Sequence, residues 1–148
     1  MNTNKILIIG QAPPFVKQEL PYDTTMLYDW LKEVGITKET AQYIFDFEAM
    51  TNTFPGFEEH GGHKKPSQQE MYKHLIDVLI SKINACQKVI LLGRVPQDFF
   101  HNNAGFIWNH IPEETRYLSL IHPSKRNYSL YQKNKQEILS KLKSFITL

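Results

Sequence analysis

The chain alternates short apolar runs with longer stretches whose apolar residues recur at helical spacing. Lys5-Ile6-Leu7-Ile8-Ile9 has no polar interruption after its first residue, the pattern of a strand covered on both faces. Gly10 permits a tight turn and Pro13-Pro14 keeps the next residues extended, opening a loop over 11–23. Leu27, Trp30, Leu31 and Val34 then form a helical stripe, with Asp23 or Thr24 as its cap and Gly35 as its end. A short helix is expected over 38–42. The second strand is read over 43–50, where Phe45, Phe47 and Ala49 alternate with Asp46 and Glu48. A flexible, locally basic loop follows over 51–66. Ser67 and Glu70 have capping-box spacing ahead of a helix to about Ala85, with Met71, Leu75, Val78, Leu79 and Ile83 inward. Lys88 to Leu92 is the third strand, closed by Gly93, and Pro96 opens a helix to His101. Residues 102–114 read as a loop with a short strand at Phe106-Ile107-Trp108. The fourth strand, 117–121, reads as buried and stops before Pro123, which cannot donate to a ladder. Ser129 and Gln132 open a last helix to about Phe145.

This alternation predicts one domain over 1–148 of the α/β class. It is a three-layer αβα sandwich around a central, mainly parallel four-stranded sheet. Open sheets of this kind hold ligands at the carboxyl ends of their strands. Two such ends carry chemistry: Gly10-Gln11-Ala12-Pro13-Pro14 and His122-Pro123-Ser124-Lys125-Arg126-Asn127. They are expected to face each other across one pocket. The Gln11 amide and the His122 imidazole can hydrogen-bond a base edge, and Ser124 adds a hydroxyl. Phe15, Tyr22 and Phe54 offer rings on which a base can stack, and Lys125 and Arg126 can hold phosphates. Neither a glycine-rich phosphate loop nor a nucleophilic serine elbow is present.

Composition narrows the choice. A net charge of +2 neither demands nor opposes a nucleic-acid partner, so the local basic loop matters more than the total. Cys86 is the only cysteine, so no intrachain disulfide and no cysteine-ligated cluster can form within the chain. His60 and His63 lack a nearby third ligand and read as a solvated loop, so neither a metal nor another cofactor is expected. No run approaches the roughly 18 apolar residues of a membrane span. A cytoplasmic, monomeric protein without membrane contact is expected.

Both strand ends resemble motifs of the uracil-DNA glycosylase superfamily. Gly10-Gln11-Ala12-Pro13-Pro14 is similar to its first motif, and His122-Pro123-Ser124-Lys125-Arg126-Asn127 to its second, a His-Pro-Ser run before a loop that wedges into DNA. Pro21-Tyr22 with Leu27-Tyr28-Asp29-Trp30-Leu31 resembles the family's aromatic loop and first helix. The segment from Met50 through Phe54-Pro55-Gly56 to Pro66-Ser67, and Val89 to Arg94, resemble parts of some bacterial members. The resemblance implies a monofunctional glycosylase of base excision repair acting on DNA. The target base is flipped out and its bond to the sugar is hydrolysed. His122 would hydrogen-bond the departing base, and Tyr22 would stack on it. Gly10, Gln11, Ala12, Pro13, Asn52, Phe54 and Ser124 would line the substrate site, and Lys125, Arg126 and Asn127 would meet the DNA.

Two departures stand out. Several branches place a water-activating acid within the first motif, where this chain has Ala12; Asp23 is the nearest substitute, with Asp46 and Glu48 behind it. The asparagine that reads uracil in many members falls at Ala49 or Met50, and reaches Asn52 only by a shift. The alternatives are a same-fold protein that binds DNA or a nucleobase without turnover, and an enzyme acting on a free nucleoside or base.

Overall fold

A computed structural model describes residues 5–14 and 24–147. Four parallel strands form one sheet: β1 (Ile6–Gly10), β2 (Phe45–Ala49), β3 (Lys88–Leu92) and β4 (Arg116–Leu120), in the order β2-β1-β3-β4. Parallel neighbours cannot be joined by a tight hairpin, so helices make the crossovers. These are α1 (Thr25–Glu33) and α2 (Lys38–Ile44) between β1 and β2, and α3 (Gln68–His74) and α4 (Ile80–Cys86) between β2 and β3. Next come α5 (Arg94–Asn102) and α6 (Ala104–His110), and α7 (Tyr128–Thr147) follows β4. A π turn over Leu75–Leu79 joins α3 to α4 as one rod.

The strand period of two builds a core on each face. Ile6, Ile8, Ile90 and Leu92 pack with Leu27, Trp30, Leu31, Leu142 and Phe145. On the other face Leu7, Ile9, Val89 and Leu91 pack with Leu75, Leu79, Ile83, Phe99 and Ile107. Each such side chain contributes roughly 1.5–3 kcal/mol by leaving water. Trp30 stacks on Tyr131 at 4.7 Å between ring centres, and the Tyr131 hydroxyl donates to Glu33 at 2.9 Å, fastening α1 to α7. The α/β class, the parallel sheet and the helices on both faces are as the sequence predicts.

Several local expectations change. Residues 104–110 are helical rather than a loop with a strand. Ile107 fills the core while Trp108 is 80% exposed, a division that three apolar residues in a row concealed. The second strand is shorter than expected, because α2 runs on to Ile44 and leaves Tyr43 exposed. β4 is an edge strand and, apart from Leu120, is not enclosed. The serine half of the capping box at Ser67 is present: its Oγ accepts from the Glu70 N–H at 3.1 Å, and Glu70 Oε1 accepts from the Ser67 hydroxyl at 3.1 Å. The one expected from Ser129 is displaced, since α7 already starts at Tyr128. Thr24 precedes α1 without a side-chain cap bond, and Asp23 lies outside the described residues.

The acids of β2 turn toward the α3–α4 rod. Glu48 meets His74 at 3.3 Å and Lys82 at 2.6 Å, and Asp46 lies 3.6 Å from Lys82. Burial by itself pushes the Glu48 carboxyl up, but hydrogen bonds from His74 and Lys82 and their charges outweigh it, so the group sits below its usual 4.5. A carboxyl that resists protonation when folded stabilises the fold fully above the ordinary carboxylate range. That stabilisation drains away as pH falls through the folded value. Urea midpoints measured from pH 7 to pH 3 should therefore show Glu48→Gln weaker than wild type at pH 7, with the gap closing on acidification. A gap that stays constant would mean that charge plays no part in it.

Candidate active site at the carboxyl edge of the sheet

The parallel arrangement brings the carboxyl ends of all four strands to one edge. β1 and β4 flank β3, so Gln11 and His122 emerge two strand spacings apart, about 10 Å. This juxtaposition joins positions separated by most of the chain.

The β1 end is tied to β2. The Met50 N–H is shared between the carbonyls of Gly10 and Gln11, 3.1 Å from each. Gly10 is buried, and Gln11, Ala12 and Pro13 are half-buried. Just beyond β2, Thr51 is buried and its hydroxyl lies 3.2 Å from that of Thr53, whereas Asn52 between them is exposed.

The β4 end is braced from β3 and α5. The Leu120 carbonyl accepts the Gly93 N–H at 2.9 Å and the Gln97 side-chain amide at 2.8 Å; the same amide also reaches the Leu91 carbonyl at 3.1 Å. Gly93 has φ +83°, a conformation open to glycine and strained for other residues. A Cβ added there would stand 3.1 Å from His122 Cβ and 3.5 Å from the ring carbon Cδ2. The His122 side chain therefore rests directly on a bare stretch of backbone.

From His122 the chain folds back on itself. The His122 carbonyl accepts the Ser124 N–H at 2.9 Å and the Asn127 side-chain amide at 2.8 Å, and the Asn127 N–H returns to the Ser124 carbonyl at 3.0 Å. Pro123 is buried beneath this turn. Lys125 and Arg126, in the 3₁₀ turn Lys125–Asn127, are left exposed at its outer side.

The structure thus gathers Gly10, Gln11, Ala12, Pro13, His122, Ser124, Lys125 and Arg126 at one edge. Asn127 is there too, with its amide engaged on the His122 carbonyl. Phe54 is half-buried, and its ring meets Phe57 at 4.9 Å and His63 at 5.7 Å. Tyr22, Asp23 and Phe15 lie outside the described residues. The other two candidate acids, Asp46 and Glu48, are engaged by Lys82 on the helical face. Gly93 lies against the histidine and Gln97 ties the end of β4 to β3, and neither is a candidate site residue from the sequence. Gly93 carried only the signal of a strand terminator, and nothing marked Gln97.

Among the described residues, no group of three or more His, Cys, Asp or Glu side chains is placed to hold a metal ion. None of their helices is long and apolar enough to cross a membrane. Chemically, the edge offers a braced imidazole, an amide and exposed cations, a set suited to a leaving group that gains negative charge beside a phosphate backbone.

A search of curated proteins finds no match. The family model described as "Uracil DNA glycosylase superfamily" matches residues 2–143, nearly the whole chain, and includes both strand ends. The chain belongs to the uracil-DNA glycosylase superfamily.

Proposed function

We infer that the protein is a monofunctional DNA glycosylase that takes a flipped-out deaminated base and hydrolyses its bond to the sugar. The observation that carries this reading is the bracing of His122 at the carboxyl edge that also bears Gln11. As the bond breaks, negative charge grows on the base and positive charge on the sugar. A donor already fixed where that charge develops need not reorganise, which is the source of its catalytic value. His122 is that donor. Gln11, with Gly10, Ala12 and Pro13, forms the wall opposite, and Ser124 and Asn52 lie at its margins. Tyr22 and Phe54 supply stacking surface. Lys125 and Arg126 hold the phosphates, and Asn127 keeps the turn that presents them in shape.

With Ala12 in the first motif and Asp46 and Glu48 turned away, Asp23 is left as the residue to orient water. The same observation favours a second reading, a protein of this fold that binds DNA or a nucleobase with little turnover. Both are tested with labelled oligonucleotides carrying one uracil, hypoxanthine or xanthine, incubated with excess protein and then treated with alkali. Strand breaks at the modified position are expected for at least one base. Binding without breaks on any of the three would establish the second reading.

A further inference from the structure

We propose that the segment following β2 is a second nucleic-acid contact, a small aromatic hairpin whose returning strand carries the phosphate grip. The inference rests on the glycosylase reading and adds a surface to it. The sequence predicts a flexible loop over 51–66, but the chain there is closely bonded. Phe57 and His63 form an antiparallel bridge. The Glu58 N–H donates to the Gly62 carbonyl at 2.6 Å, Lys64 N–H to Gly56 at 2.9 Å, and Gly61 N–H to Glu58 at 2.9 Å. The turn is built on glycine: Gly56 and Gly61 have φ of +111° and +92°, and the His60 ring lies flush against Gly62, where a Cβ would come within 2.6 Å of it.

This architecture displays rings. Phe54, Phe57 and His63 meet pairwise at 4.9–5.7 Å, and Phe57 remains 48% exposed. Beside them Lys64 and Lys65 are exposed on the returning strand. The acids Glu58 and Glu59 are confined to the tip. Charge therefore runs along the hairpin from a negative tip to a positive base. A phosphate backbone is repelled from the tip and attracted to the base, close to where the hairpin leaves the sheet. Rings beside cations form the pattern that holds unpaired nucleotides without reading their sequence.

Position fixes the scale. The hairpin grows from β2 and His122 from β4, three strand spacings apart, or about 14 Å. On the proposed reading the hairpin therefore meets nucleotides flanking the flipped base rather than that base itself.

The test measures oligonucleotide affinity by fluorescence anisotropy across a salt series, for wild type, Lys64→Gln/Lys65→Gln, Phe57→Ala and, as a reference, Lys125→Gln/Arg126→Gln. The lysine pair leaves the ring cluster intact. It should flatten the slope of log affinity against log salt by about 1.4–1.8, the effect of two lost phosphate contacts. Phe57→Ala should weaken binding by roughly 5- to 100-fold. Glu58→Gln/Glu59→Gln should bind no more weakly than wild type. Trimming the oligonucleotide to two nucleotides on either side of the target should abolish the difference between wild type and the lysine variant. If the reference variant loses affinity while the Lys64/Lys65 and Phe57 variants match wild type in affinity and slope, the hairpin is not a contact and the glycosylase reading stands. If wild type itself shows no salt-dependent binding to any oligonucleotide, that reading falls and this inference falls with it.

Discussion

Replacing His122 by alanine is expected to lower the single-turnover rate of base release by about 10²- to 10³-fold while changing DNA affinity little. The size follows from removing one fixed donor from the place where charge develops on a leaving group. Affinity should be spared because the proposed phosphate contacts of this edge fall to Lys125 and Arg126, which the same turn exposes. His122→Asn, which retains a donor of shorter reach, should recover part of the loss. Rapid-quench measurement on the best oligonucleotide substrate checks this. A His122→Ala protein that keeps the wild-type rate would remove His122 from the chemistry.

Gly93→Ala should lower the same rate by roughly 3- to 10-fold without altering any group proposed to touch the base. Two effects coincide at this position. The backbone at φ +83° is strained for alanine, at about 1–3 kcal/mol, and the added methyl would lie 3.1 Å from His122 Cβ. His122 must give by a few tenths of an ångström, a fraction of the roughly 1 Å misplacement that costs about 10² in rate. Measuring the urea midpoint and the rate together separates the two effects. A drop in stability with the rate per folded molecule unchanged would mean that the glycine matters only for backbone conformation. The expected result is a rate loss that persists where the variant is fully folded.

The sequence conveyed the sheet far better than its edges. β1 was legible because Ile6 to Ile9 are buried on both sides, which needs an unbroken apolar run. The same logic misread β4: Tyr117 to Ile121 are apolar enough for an enclosed strand, yet no residue type in that run announces that, among the described residues, β3 is its only neighbour. α6 was missed because Phe106-Ile107-Trp108 satisfies strand and helix patterns equally over so short a span. At the site, His122 and Gln11 were visible because imidazoles and amides at strand ends are chemically conspicuous. Their supports were not. Gly93 looks like any strand terminator, Gln97 like any surface amide, and nothing in the run around Asn127 announces the bond it makes to the His122 carbonyl. Supporting contacts depend on which strands become neighbours, and a sequence read locally does not contain that.

The strand order carries a consequence for assembly. Gln11 arrives early in the chain and His122 late, and β3 must be flanked by both β1 and β4 before the two come to one edge. A molecule in which either strand has yet to dock on β3 therefore lacks the edge that carries both Gln11 and His122. On the proposed reading, recovery of base release needs both dockings and should come no earlier than the return of the native spectroscopic signal.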